Sequence, residues 1–118
     1  MILDKKRIAH LRELELETGE EIISALTQLF KRDSPAFVEN LRQHLVAGEY
    51  LQAGKVAHKI KTTCANLGIT AGYEICLELE TQCKKMNRQF RYTSHIKKLE
   101  NIILTSMKEL ARELKSAS

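Results

Sequence analysis

The chain has 118 residues, 43% of them hydrophobic, with one proline and five glycines. That length makes one domain around a single core, and so few turn-forming residues exclude a many-stranded sheet. Nineteen basic and fifteen acidic residues leave a formal charge of +4, a mild bias that suits an acidic partner and falls short of the basic tracts of nucleic-acid binders.

Leu, Glu, Lys, Ile and Ala dominate, so the fold class is all-α. Asp4 is placed to cap a first helix reaching about Leu16, with Ile8, Leu11 and Leu14 on its apolar side and Thr18-Gly19 as its break. A second helix begins at Glu20 and carries Ile22, Ile23, Leu26, Leu29 and Phe30 at helical spacing. Asp33-Ser34-Pro35 reads as its stop and as the start of a third, whose stripe is Phe37, Val38, Leu41 and Leu45, ending near Gly48. The fourth runs from about Tyr50 to Leu67 and is closed by Gly68. Thr70 is the expected cap of a fifth, with Ile75, Cys76, Leu79, Cys83 and Met86 on one face. After a polar, basic connection from Asn87 to Tyr92, Thr93 or Ser94 caps a final helix bearing Ile96, Leu99, Ile103, Met107, Leu110 and Leu114. Short connections force neighbours to run antiparallel. The expected architecture is an up-and-down antiparallel four-helix bundle with additional terminal helix, residues 1–118 forming one domain; periodicity leaves open which two of the six segments are peripheral.

Three cysteines, an odd number, argue against a disulfide framework and for a reducing compartment, where they serve as small core residues. No apolar run reaches the roughly 20 residues of a bilayer span, and no signal peptide opens the chain. A soluble, cytoplasmic protein without membrane insertion is expected.

The fourth segment holds the candidate site. At about 100° per residue, Ala53, Val56, Ala57, Ile60, Cys64 and Leu67 share one face and His58 points roughly 150° from its centre. Around His58 lie Gly54, Lys55, Lys61, Thr62 and Ala65. Phosphoryl transfer needs a nucleophile in line with the donor phosphorus and positive charge around the moving oxygens. A neutral surface imidazole supplies the first near pH 7. Lys61, one turn on, is set to place its ammonium beside the phosphoryl oxygens, with Lys55 and Lys59 able to assist. Gly54, Thr62 and Ala65 read as docking surface, small enough to keep the imidazole accessible. A surface histidine among lysines is ordinarily only solvated surface; what changes the balance for His58 is the motif it stands in, with which residue types, spacing and direction agree. His10, His44 and His95 have no such setting. No Cys-x-x-Cys or His-x-x-x-His spacing suggests a metal site, and no glycine-rich loop suggests a nucleotide.

The run Ala57-His58-Lys59-Ile60-Lys61, four further residues and then Asn66-Leu67-Gly68 resembles the signature of histidine-containing phosphotransfer (HPt) domains. Cys76-Leu77-Glu78-Leu79-Glu80 is similar to the family's next helix, and Asp33-Ser34-Pro35 and Gly48-Glu49 also fit. The resemblance implies a phosphorelay carrier that accepts phosphate on His58 from a receiver-domain aspartate and passes it to another receiver. It implies that the partners are receivers of response regulators or hybrid histidine kinases, and that the receiver provides both the aspartate and the magnesium. The chain itself then needs no cofactor and is a carrier without autonomous catalysis. The resemblance also implies that the bundle begins either at Ser34 or at Glu20. Thr62 stands where the family usually has glycine, and its methyl and hydroxyl narrow a partner's approach. That feature favours the competing reading, a helical adaptor that binds receivers or kinases without carrying phosphate. A nucleic-acid module is the third; only Lys84-Lys85, Arg88 and Arg91 approach the required cluster. A monomer is expected, because the histidine face is too polar to bury in a dimer.

Overall fold

The computed structural model describes residues 2–116, and its regular elements are five helices among those residues. The Asp4 carboxylate accepts from the Lys6 N–H at 3.0 Å and so starts α1, Lys5–Thr18. Gly19, at φ +74°, ends it by returning its N–H to the Glu15 carbonyl, the left-handed stop that glycine adopts without a Cβ clash.

The next helix corrects the expectation of a break. α2 runs unbroken over Ile22–Val46 with Pro35 inside it, so six expected segments become five helices. Asp33 does not cap a new helix, since it is itself helical within α2, and its carboxylate pairs with Arg32 at 2.8 Å. Ile23, Thr27, Phe30, Ser34, Val38 and Leu41 form one buried stripe straight through the proline. An interior proline costs roughly 3 kcal/mol. Phe30 before it and Leu41 after it are wholly buried, each contributing about 1.5–3 kcal/mol, and keeping both stripes in phase outweighs the lost backbone bond. Leu29, expected on that stripe, is instead 43% exposed.

Gly48, at φ +74°, turns the chain into α3, Tyr50–Leu67. Gly68 ends α3, and its carbonyl accepts from Asp4 N–H at 2.7 Å, which ties the start of α1 to the α3–α4 turn. A fully buried Ile69, bridged to Leu3, precedes α4, Thr70–Lys84. Thr70 is therefore the first helical residue and not the cap. Met86 lies beyond α4 at φ +52° and is 61% exposed, so it does not share the Cys76–Cys83 face. α5 begins at Tyr92 and runs to Ser116, which puts Thr93 and Ser94 inside it rather than at its cap.

α2, α3, α4 and α5 pack in a closed cycle, each on its chain neighbour and α5 back on α2, while α1 lies on α2 and α3. The bundle thus begins at the helix expected from Glu20, and α1 is the additional terminal helix. At about 1.5 Å per residue, α2 and α5 are each near 37 Å long, against about 27 Å for α3 and about 22 Å for α4. α1 covers the overhang: Glu15 accepts from Ile23 N–H at 3.0 Å, and Arg12 pairs with Glu113 of α5 at 2.8 Å. Cys64, Cys76 and Cys83 are free and buried. No helix among the described residues is long and apolar enough to cross a membrane.

The tightest approach is between α3 and α4. A Cβ at Gly72 of α4 would lie 2.7 Å from Cys64 Sγ of α3, and one at Gly54 of α3 would lie 3.3 Å from Cys83 Cβ of α4. Glycine on one helix meets cysteine on the other near both ends of the crossing. Gly72→Ala is expected to lower the stability by about 1–3 kcal/mol, read as a drop in the urea midpoint at unchanged slope.

Candidate functional site

The α3–α4 crossing sets Glu80 of α4 beneath His58 of α3. The imidazole is 61% exposed, whereas the Glu80 side chain is only 9% exposed. His58 Nδ1 lies 2.7 Å from Glu80 Oε2, and Lys61 Nζ lies 3.1 Å from Glu80 Oε1. An ionised carboxylate has no proton to donate, so Nδ1–H donates to Glu80 and the ring keeps its free lone pair on Nε2. Burial pushes the Glu80 carboxyl up, but the hydrogen bonds from Lys61 and His58 and the charge of Lys61 outweigh it and hold the group below its ordinary value. The carboxylate is therefore ionised at neutral pH, and the tautomer follows from it.

Lys61 occupies a different place from the one its spacing suggests. Its side chain is 14% exposed and bonded to Glu80, with the ammonium 5.8 Å from the Tyr73 ring centroid. It neutralises the buried carboxylate rather than standing free beside the imidazole. Lys84 Nζ reaches within 3.9 Å of Glu80 Oε1 and is 74% exposed, so its ammonium has room to swing toward solvent. Gly54 corrects the docking-surface expectation: it is buried, at its close contact with Cys83. Lys55, Lys59, Thr62 and Ala65 are exposed on α3. Lys59 rests 6.0 Å from the Phe37 ring centroid. The Thr62 hydroxyl donates to the His58 carbonyl at 3.1 Å, a bond back along its own helix that leaves chiefly the methyl to alter the approach.

A cleft of about 370 Å³ opens beside the imidazole, lined by Tyr50, Leu51, Gly54, Lys55, His58, Glu80 and Lys84. Leu51, two turns before His58, is 68% exposed, and Leu77, one turn before Glu80, is 41% exposed. The site thus combines an outward imidazole, a buried carboxylate that fixes it, two exposed lysines, Lys55 and Lys84, and an apolar margin. Sequence reasoning missed Glu80, Lys84, Leu51 and Leu77 as site residues. For Glu80 a signal was present: it falls on the apolar stripe of Cys76, Leu79 and Cys83, where a carboxylate requires a partner.

An exposed histidine held over a buried carboxylate on a helical bundle is an arrangement able to accept a phosphoryl group. The Hpt domain family model matches residues 25–117. The crystal structure of histidine-containing phosphotransfer protein B (HptB) from Pseudomonas aeruginosa PAO1 is similar to this fold with a TM-score of 0.85, at 24% identity over 98% of this chain and 96% of that one. No curated protein matches the chain. The match over most of the chain establishes that it belongs to the Hpt domain family, and it is a histidine phosphotransfer carrier of phosphorelay signalling. Hpt domains are phosphocarrier modules that interact with receiver domains.

The Glu80 geometry has a consequence for acid stability. A carboxyl held below its unfolded value of 4.5 stabilises the fold above that pH and loses the contribution as pH falls through the folded value. Glu80→Gln is expected to be less stable than wild type at neutral pH, with the gap narrowing as pH falls below 4.5. Urea midpoints across that range check it; a gap of constant size would contradict the coupling.

Proposed function

We propose that His58 is the residue that carries the phosphoryl group, on Nε2. The observation that supports this most is the 2.7 Å contact between Nδ1 and Glu80, since it leaves the nucleophilic lone pair on the other nitrogen. In the step proposed, the Nε2 lone pair attacks the phosphorus of a receiver's aspartyl phosphate. The aspartate oxygen–phosphorus bond breaks and the carboxylate leaves with its electron pair. The Nδ1 proton stays in place, and the positive charge that the ring acquires lies against Glu80. The nitrogen–phosphorus bond is labile, so a second receiver's aspartate reverses the step.

Lys84 and Lys55, both lining the cleft, are the ammonium groups best placed to meet the phosphoryl oxygens, and Lys61 acts through Glu80. Leu51, Leu77, Thr62, Ala65 and Lys59 form the surface on which a receiver docks. The carboxylate of the cleft is engaged by His58 and Lys61, which fits magnesium being carried by the receiver and no cofactor by this chain. We read residues 1–118 as one cytoplasmic domain, monomeric, acting as carrier and substrate without catalysis of its own.

Transfer from a phosphorylated receiver is expected to leave an acid-labile, base-stable label on the wild-type chain and none on His58→Gln. Glu80→Gln is expected to slow transfer by about 10- to 100-fold, a loss of roughly 1.4–2.7 kcal/mol of transition-state stabilisation, measured as the single-turnover rate. Label on His58→Gln equal to wild type would contradict the assignment, and binding without any label would favour the adaptor reading.

A further inference from the structure

The charge that is mild over the whole chain is not evenly spread. Residues 84–98 hold Lys84, Lys85, Arg88, Arg91, Lys97 and Lys98 and no Asp or Glu. With these six cations removed, thirteen basic residues remain against fifteen acidic ones, so the rest of the chain is net negative. The six are exposed. Among the described residues, Lys85, Arg88, Arg91, Lys97 and Lys98 form no ion pair with a carboxylate, and Lys84 makes only its long contact to Glu80. Arg42 nearby is engaged by Glu39 and Glu100.

The fold gathers these cations at one end of the bundle. Tyr92, at the start of α5, lies 5.8 Å ring to ring from Tyr50, at the start of α3, so the α4–α5 connection sits beside the α2–α3 turn. At the far end of α2 lies the run from Glu13 to Glu21, which holds five glutamates and no cation. The molecule is 47 Å long and 22 Å wide, with opposite charge at its two ends. Lys84 belongs both to the basic end and to the His58 cleft, whereas Arg91, Lys97 and Lys98 line a second cleft with Arg42, Leu45 and Val46 of α2, so the basic end meets the site through Lys84.

We propose that this basic end is a steering and docking surface for the acidic face of the partner receiver, orienting it so that its aspartate meets His58. The proposal rests on the carrier reading above and extends it to how a partner is selected. Opposed charge at the two ends gives an approaching anionic surface a direction as well as an attraction. Nucleic acid fits less well. Phe90 is packed edge-on against Tyr92 at 5.0 Å, and the Tyr92 hydroxyl donates to the Asn87 carbonyl at 2.8 Å, so neither ring is a free stacking platform for bases.

The test uses the full chain and isolated receiver domains phosphorylated with acetyl phosphate, choosing one that binds the wild type. Arg88→Glu/Arg91→Glu changes four charges outside the His58 cleft. Lys5→Glu/Lys6→Glu changes the same four on α1. At about 0.01 M ionic strength the first pair is expected to lower the second-order transfer rate about tenfold or more and to leave the rate within the saturated complex unchanged. The defect should shrink below about twofold near 1 M salt, and the α1 pair should stay within about twofold of wild type throughout. Equal loss in both pairs, or no loss in the first, would overturn the proposal. Receiver binding is measured in parallel: weaker binding by the first pair supports the surface even if His58 takes no label, and unchanged binding overturns it. A duplex oligonucleotide that binds the wild type but not the first pair, with receiver transfer unaffected, would reassign the surface to nucleic acid.

Discussion

A carboxylate almost wholly removed from water must be met by donors, and Glu80 is met by two: the Lys61 ammonium and the His58 Nδ1–H. The rest of the site depends on that arrangement. Lys61 supplies charge that keeps the carboxylate ionised in spite of its burial. The ionised carboxylate in turn fixes the imidazole's tautomer and, in the transfer proposed for His58, lies against the charge that would develop on the ring. Because Glu80 is on α4 and both donors are on α3, the interaction exists only when the two helices are closely packed.

Close packing traces to small residues at matched positions. Gly72 faces Cys64 and Gly54 faces Cys83 across the α3–α4 crossing, and a larger side chain at either glycine would push the helices apart. Ala53, Ala57 and Ile60 fill the buried face of α3 between them. The same glycine that sequence reasoning treats as surface is thus part of the spacing that brings Glu80 under His58. Packing and chemistry meet at one pair of helices, with the longer α2 and α5 as the frame and α1 closing the overhang.

Much of this was legible in the residues. The helix from Tyr50 to Leu67, its stop at Gly68 and the outward direction of His58 follow from 3.6-residue periodicity and a left-handed glycine. The Asp4 cap follows from local hydrogen bonding. What local rules misjudge is where distant contacts overrule them: Pro35 reads as a boundary until the buried stripes of Phe30 and Leu41 are seen to be in phase. Thr70 reads as a cap until Ile69 is found fully buried before it. Glu80 needed only the question of what could satisfy a carboxylate on an apolar stripe, but the identity of its donors lies on another helix. The separation of charge between the two ends was visible in the sequence as two runs, and only the fold gives them direction.

Glu80 holds the unphosphorylated His58 imidazole with its proton on Nδ1 and its lone pair on Nε2. Long-range proton–nitrogen NMR correlation of the imidazole at neutral pH reads that tautomer. A pyrrole-type Nδ1 shift and a pyridine-type Nε2 shift are expected for His58, with the preference reduced in Glu80→Gln. The opposite assignment, Nε2 carrying the proton in the wild-type chain, would contradict it.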